Sequence, residues 1–161
     1  MPVRPCVWAL TIVLLLGAGA ASSALGQVYH VSPDGNDAWP GTSPDSAWAT
    51  IAKANHAARP GDRIYVWPNP ALYTDFPNPD SAGSNPTGDG YITFLGAHPT
   101  LDPLSDPVAR QDIRLSTGAL IKPYTTLKGM EIGGVCILRG TAQRCSLSNA
   151  TIDGDLILDD V

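Results

Sequence analysis

Three hydrophobic patterns succeed one another along this chain. The first is an unbroken apolar run, "CVWALTIVLLLGAGAA" at residues 6–21. The second starts at residue 27 and is made of short alternating segments. In "QVYHV" (27–31), Val28 and His30 share one face and Tyr29 and Val31 the other, which predicts a short strand. "RIYVW" (63–67) and "YITFLG" (91–96), rich in β-branched and aromatic residues, predict two more. Between the first two strands, Ile51, Ala54 and Ala58 recur at helical spacing. Thr50 supplies an N-cap and Pro60-Gly61 a stop, so a helix is predicted over 51–58.

The third pattern is a repeat. "LKGMEIGGVCIL" (127–138) lies over "LSNATIDGDLIL" (147–158) at an offset of 20 residues. Leu127 matches Leu147, Ile132 matches Ile152, Gly134 matches Gly154, and Ile137-Leu138 matches Ile157-Leu158. "GALI" at 118–121 echoes the same motif. A period of this length with short strands predicts a solenoid, in which each small coil gains a core only by stacking on its neighbours. Met130, Ile132, Cys136 and Leu138 are expected inside, as are Ala150, Ile152, Leu156 and Leu158.

Polar stretches separate these segments. "SPDGNDAWPGT" (32–42) offers almost nothing to bury. "FPNPDSAGSNPTGDG" (76–90) reads as a surface loop, and the proline-rich "AHPTLDPLSDPVARQ" (97–111) as a second irregular stretch. The predicted organisation is therefore a leader at 1–26, a strand–loop–helix–strand unit at 27–75, irregular loops with one strand at 76–112, and coils at 113–161.

Composition adds three constraints. With 16 glycines and 15 prolines among 161 residues and few charges, the chain suits a turn-rich all-β protein of one domain. Its formal charge of −5 and lack of any basic run argue against nucleic acid as a partner. The apolar run follows Arg4 and precedes the small residues "SSALG", the pattern of a cleaved signal peptide. It is short for a membrane span, so the expectation is an exported, secreted or cell-surface protein with no membrane span after cleavage. Export permits a disulfide between Cys136 and Cys145, with buried thiols as the alternative.

The segment "YHVSPDGNDAWPGTSPDSAWATIAKANHAARPGDRIYVWP" (Tyr29–Pro68) resembles the N-terminal cap of secreted right-handed parallel β-helix proteins of the pectate-lyase-like superfamily. The resemblance rests on the Val-Ser-x-x-Gly-Asn-Asp opening, Pro-Gly-Thr, the aromatic-Ala-Thr-Ile helix start and Pro-Gly-Asp. Where the family continues with Gly-x-Tyr-x-Glu, this chain has Ala71, Tyr73 and Asp75. The resemblance implies a strand and a helix that close the end of a right-handed parallel β-helix, with Asn149 at a bend of stacked asparagines. It also implies an extracellular polysaccharide as partner, and a lyase or hydrolase as one function class. A non-catalytic surface or adhesion β-helix is the other.

The residues themselves assign no active site. Uronate elimination needs a cation for the carboxylate and a base for the α-proton. Lys122, Lys128 and Arg139 are candidate bases by residue type alone. His30, His56 and His98 lack metal-ligand spacing. No cofactor is evident. Calcium is the one candidate ion, with Asp34, Asn36 and Asp37 as one candidate set and Asp153 and Asp155 as another. Turn chemistry accounts for the first set and a solvated outer face for the second, and these are the preferred readings. Trp39 and Trp48 are expected to pack the cap on the first coil. The repeat stops at "DGDLILDDV" without a cap, so the chain reads as an N-terminal piece open to self-association through its last coil.

Overall fold

The structure is a computed structural model describing residues 26–80, 90–116, 119–121, 124–134, 136–139, 146–148 and 150–159. The strands at 119–121, 136–139 and 156–159 are described by backbone and register. Residues 1–25 of the leader, Lys122, Cys145 and Asn149 lie outside the described residues, and with them the disulfide and the asparagine bend.

Eleven short strands, two short α-helices and one 3-10 turn (Pro44–Ser46) are present among the described residues, and every strand pairing is parallel. One sheet has five strands in the order β1 (Val28–Val31), β2 (Arg63–Val66), β3 (Ile92–Gly96), β6 (Thr125–Lys128) and β9 (Ser146–Ser148). A second joins β4 (Arg114–Leu115), β7 (Glu131–Gly133) and β10 (Thr151–Asp153). A third joins β5 (Ala119–Ile121), β8 (Cys136–Arg139) and β11 (Leu156–Asp159). The expectation of an all-β fold of parallel strands is met.

The 20-residue repeat is the pairing register in all three sheets. Leu127 pairs with Leu147, Ile132 with Ile152, and Ile137-Leu138 with Ile157-Leu158. The "GALI" echo also falls on a pairing strand, one residue out of the alignment that the motif suggests, with Leu120 and not Ile121 opposite Ile137.

Alternation divides each strand of the five-stranded sheet between two faces. Inward, Tyr29, Ile64, Phe94, Leu127 and Leu147 stand in register as one row. Ile64, Phe94 and Leu127 are fully buried, against Ile113, Leu115, Met130 and Ile132 from the second sheet and its approaches. Burying each such side chain contributes about 1.5–3 kcal/mol.

Helix α1 (Ile51–Ala57) forms as the pattern predicts, one residue shorter. The Thr50 side chain accepts from the Lys53 amide, and Ile51, Ala54 and Ala58 all face the core. Pro60-Gly61 makes the stop, with Gly61 at φ +95 and the Asp62 amide bonded back to the Arg59 carbonyl at 3.0 Å. A positive φ is what glycine accepts at the third position of such a turn.

The stretch 97–111 holds more order than its prolines suggest. Helix α2 (Pro107–Gln111) has Asp106 as N-cap, accepting from the Val108 amide, and proline in its first turn. Both are helix-start signals that were legible in "SDPVARQ". Among the described residues no helix is long and apolar enough to cross a membrane.

Candidate functional site

The loop 32–42 is built as a clasp over the outer edge of β1. The His30 amide donates to the Gly41 carbonyl at 2.8 Å, and the amides of Trp48 and Ser32 pair with His30 and Trp48 carbonyls at 2.9 Å. These bonds occupy backbone groups that an edge strand otherwise leaves unpaired. Asp37 fastens the clasp to α1. Its Oδ1 accepts from the amides of Ala49 (2.8 Å) and Thr50 (3.0 Å), and its Oδ2 from the Thr50 hydroxyl (2.7 Å). Asn36 Oδ1 accepts from the Ala38 amide at 2.8 Å, an Asx turn. Trp48 is buried, stacks on Tyr29 at 4.5 Å, and donates its indole N–H to the Trp39 carbonyl at 2.8 Å. Trp39 itself stays 43% exposed, because it lies on the outer side of the clasp and lends its carbonyl, not its ring.

The remaining singled-out residues are dispersed. Asp153 pairs with Arg114 at 2.8 Å, and Asp155 is exposed. His56 Nδ1 meets Asp80 at 2.5 Å on the surface, while His98 Nε2 lies 3.3 Å from Asp112. Among the described residues no group of three His, Cys, Asp or Glu side chains is placed to hold a metal ion.

Chemistry gathers instead on the outward face of the five-stranded sheet. Alternation turns one row of register partners outward: Val28, Arg63, Thr93, Thr126 and Ser146. The next row is His30, Tyr65, Leu95, Lys128 and Ser148. Where β2, β3 and β6 lie side by side, an open groove of about 510 Å³ runs over these rows, with Tyr91 at one end. Among the described residues its lining holds two cations, Arg63 and Lys128, and no carboxylate. Neither cation is ion-paired among the described residues. Asp62, the acid nearest in sequence, is buried, with its oxygens held by the amides of Gln27 and Arg59 at 2.7 Å each. With strands about 4.8 Å apart and residues about 3.3 Å apart along them, Arg63 and Lys128 stand roughly 12 Å from one another.

An aromatic edge borders this groove. The His30 ring stacks on Tyr65 at 5.4 Å with an interplanar angle of 17°. The Trp67 indole N–H donates to His30 Nδ1 at 3.2 Å, so that nitrogen carries no proton. Burial lowers the pKa of His30 from its ordinary 6.5, and no charged neighbour contributes. Tyr73, behind this edge, is buried and donates its hydroxyl to the Trp67 carbonyl at 2.8 Å. Burial, and then the negative charge of Asp34, raise its pKa well above the usual phenol value.

The groove can therefore do three things. Arg63 can grip a carboxylate with two parallel N–H bonds, and Lys128 can offer a mobile point charge. Thr93 supplies a half-exposed hydroxyl that donates and accepts, and Thr126, also in the lining, is only 5% exposed. Tyr65 offers a flat ring with a polar tip. Of these residues, sequence reasoning singled out only Lys128. The alternation in "RIYVW" and "YITFLG" was visible, but the register joining residues 63, 93 and 126 was not.

No protein-family model matches the chain. No curated protein matches it either. Among solved structures, a chain described as rhamnogalacturonan lyase aligns with a TM-score of 0.42 and 21% identity, over 68% of this chain and 29% of that one. The chain thus spans less than a third of that protein's length.

Proposed function

We propose that this chain belongs to an exported, right-handed parallel β-helix protein, and that the outward face of its five-stranded sheet binds an acidic polysaccharide. Three parallel sheets with a shared 20-residue register support the solenoid reading. The apolar leader supports export.

The observation that carries the ligand assignment is the pair of cations, Arg63 and Lys128, that no carboxylate among the described residues compensates, on a groove of a chain whose net charge is −5. A cationic strip on an acidic protein is a local feature, since the overall field repels anions. Two cations beside a tyrosine and two threonines suit a chain of low charge density that also presents hydroxyls and flat C–H surfaces. A nucleic acid needs many more phosphate contacts for useful affinity at physiological salt.

Calorimetric titration with a linear uronic-acid oligosaccharide tests this. Binding is expected, weakening with salt and falling about tenfold in Tyr65→Ala, the loss of one stacking ring and its hydroxyl contact. The carboxyl-reduced, neutral oligosaccharide should bind much more weakly. Equal binding of the neutral form, or tighter binding of a single-stranded DNA of matched length, would remove the reading. Assay of the same oligosaccharide for new reducing ends or unsaturated ends separates a lyase or hydrolase from a binding protein.

A further inference from the structure

We infer that His30 is a third cation of this face, one that is switched on by the ligand: when an acidic glycan lies in the groove, His30 takes up a proton and its imidazolium joins Arg63 and Lys128 in holding the ligand's anionic groups. The inference rests on the acidic-glycan reading of the groove and adds a residue and a proton to it.

Position carries the argument. His30 stands in the same outward row as Tyr65 and Lys128, on the neighbouring strand to Tyr65, and its ring lies flat against that tyrosine. In the free protein two things keep it neutral. Its Nδ1 lone pair is the acceptor for the Trp67 indole N–H. Its half-buried place against Tyr65 and Trp67 also disfavours the charged ring. Around the ring, β2 contributes Tyr65 and Arg63, and the residue after β2 contributes Trp67. The clasp segment contributes backbone groups of Gly41 and Trp48; its Asp37 carboxylate is taken by Ala49 and Thr50, and the charge of its Asp34 bears on Tyr73 and not on His30. Among the described residues no carboxylate is therefore on hand to charge His30.

An anionic ligand reverses both terms. It supplies the counter-charge that the half-buried ring lacks, enough to offset the cost of charging it there. A proton from solvent then adds to Nδ1, the Trp67 bond is given up, and the Trp67 N–H turns to ligand or water. Nothing else is made or broken. Because binding and protonation are linked, affinity must rise as pH falls, and binding must take up protons.

The experiment is titration of the protein with a linear uronic-acid oligosaccharide between pH 8 and 5 at constant ionic strength. The carboxylates of the ligand stay ionised across this range. Affinity should tighten about two- to fivefold toward pH 5, the worth of one solvent-exposed charge pair. Binding heats in two buffers of different ionisation enthalpy should report net proton uptake, and His30→Gln should flatten the pH profile. As a check independent of any variant, the His30 ring resonances of the wild-type protein should show a pKa that rises when the oligosaccharide is added. A flat wild-type profile, a slope that survives in His30→Gln, or a His30 pKa unmoved by ligand overturns the inference and leaves the groove assignment standing. Absence of binding at every pH overturns both.

Discussion

Replacing Asp37 with alanine is the sharpest test of why the loop 32–42 is there. Its carboxylate accepts three hydrogen bonds at 2.7–3.0 Å, all from Ala49 and Thr50, and Thr50 is itself the N-cap of α1. A hydrogen bond to a charged group contributes about 1.5–3 kcal/mol when measured singly. The three share one side chain and a half-buried site that water can enter, so they do not add in full. We expect Asp37→Ala to cost about 3 kcal/mol, which for a chain of this size lowers the melting temperature by about 6–12 °C. Asp37→Asn keeps an acceptor for the two amides and should cost about 1 kcal/mol. The same melts, repeated with calcium, separate a clasp from an ion site. An ion present at a hundred times its dissociation constant would stabilise by about 2.7 kcal/mol, and the clasp predicts no such gain. The reasoning is refuted if Asp37→Ala melts with the wild type, or if calcium raises the wild-type melting temperature and leaves the variant unmoved.

Three further outcomes follow from the same structure. The pKa of His30 is lowered in the fold, so the unfolded chain binds more protons at mildly acid pH. The resulting stability is fully present above about pH 6.5 and is lost as pH falls toward the lowered value; ligand-free melts should show this loss in wild type and less of it in His30→Gln. Gly41→Ala should destabilise by about 1–3 kcal/mol in a denaturant titration, because the site has φ +75 and a Cβ there would lie 2.4 Å from the Trp48 ring. Arg114→Ala should cost about 3 kcal/mol and Asp153→Ala under about 1 kcal/mol, since Arg114 faces a Glu131 side chain only 8% exposed whereas Asp153 is 68% exposed.

What could be read from the sequence was whatever depends on neighbours in the chain. The strand at 28–31, the helix start at Thr50 and its apolar stripe, and the Pro60-Gly61 stop are each fixed within a few residues, and each stands close to where the pattern put it. The pairing of 127–138 with 147–158 was also legible, because equal coil lengths turn spatial register into a sequence period. Between β1, β2, β3 and β6 the offsets are unequal: Val28 meets Arg63, Arg63 meets Thr93, and Thr93 meets Thr126. Insertions such as 97–111 break the period there without breaking the sheet. α2 was missed although its cap and proline were in plain view, because the prolines around it were read only as strand breakers.

The groove illustrates the same limit from the side of function. Arg63, Thr93 and Lys128 come from three coils, and no local motif joins them. Their union follows from two rules applied together. Period-two alternation decides which residues face out, and parallel register decides which of those become neighbours. A one-residue slip in β2 would bury Arg63 and expose Ile64, so the cationic strip exists only in the register that also completes the row Tyr29, Ile64, Phe94 and Leu127. Core packing thereby selects the arrangement of the outer face. The cost of a slip falls on the buried row, at about 1.5–3 kcal/mol for each large side chain displaced, while the cations outside contribute little to stability. Substituting Arg63 or Lys128 should therefore change binding with almost no change in melting temperature, and that separation is what marks a surface kept for a ligand and not for the fold.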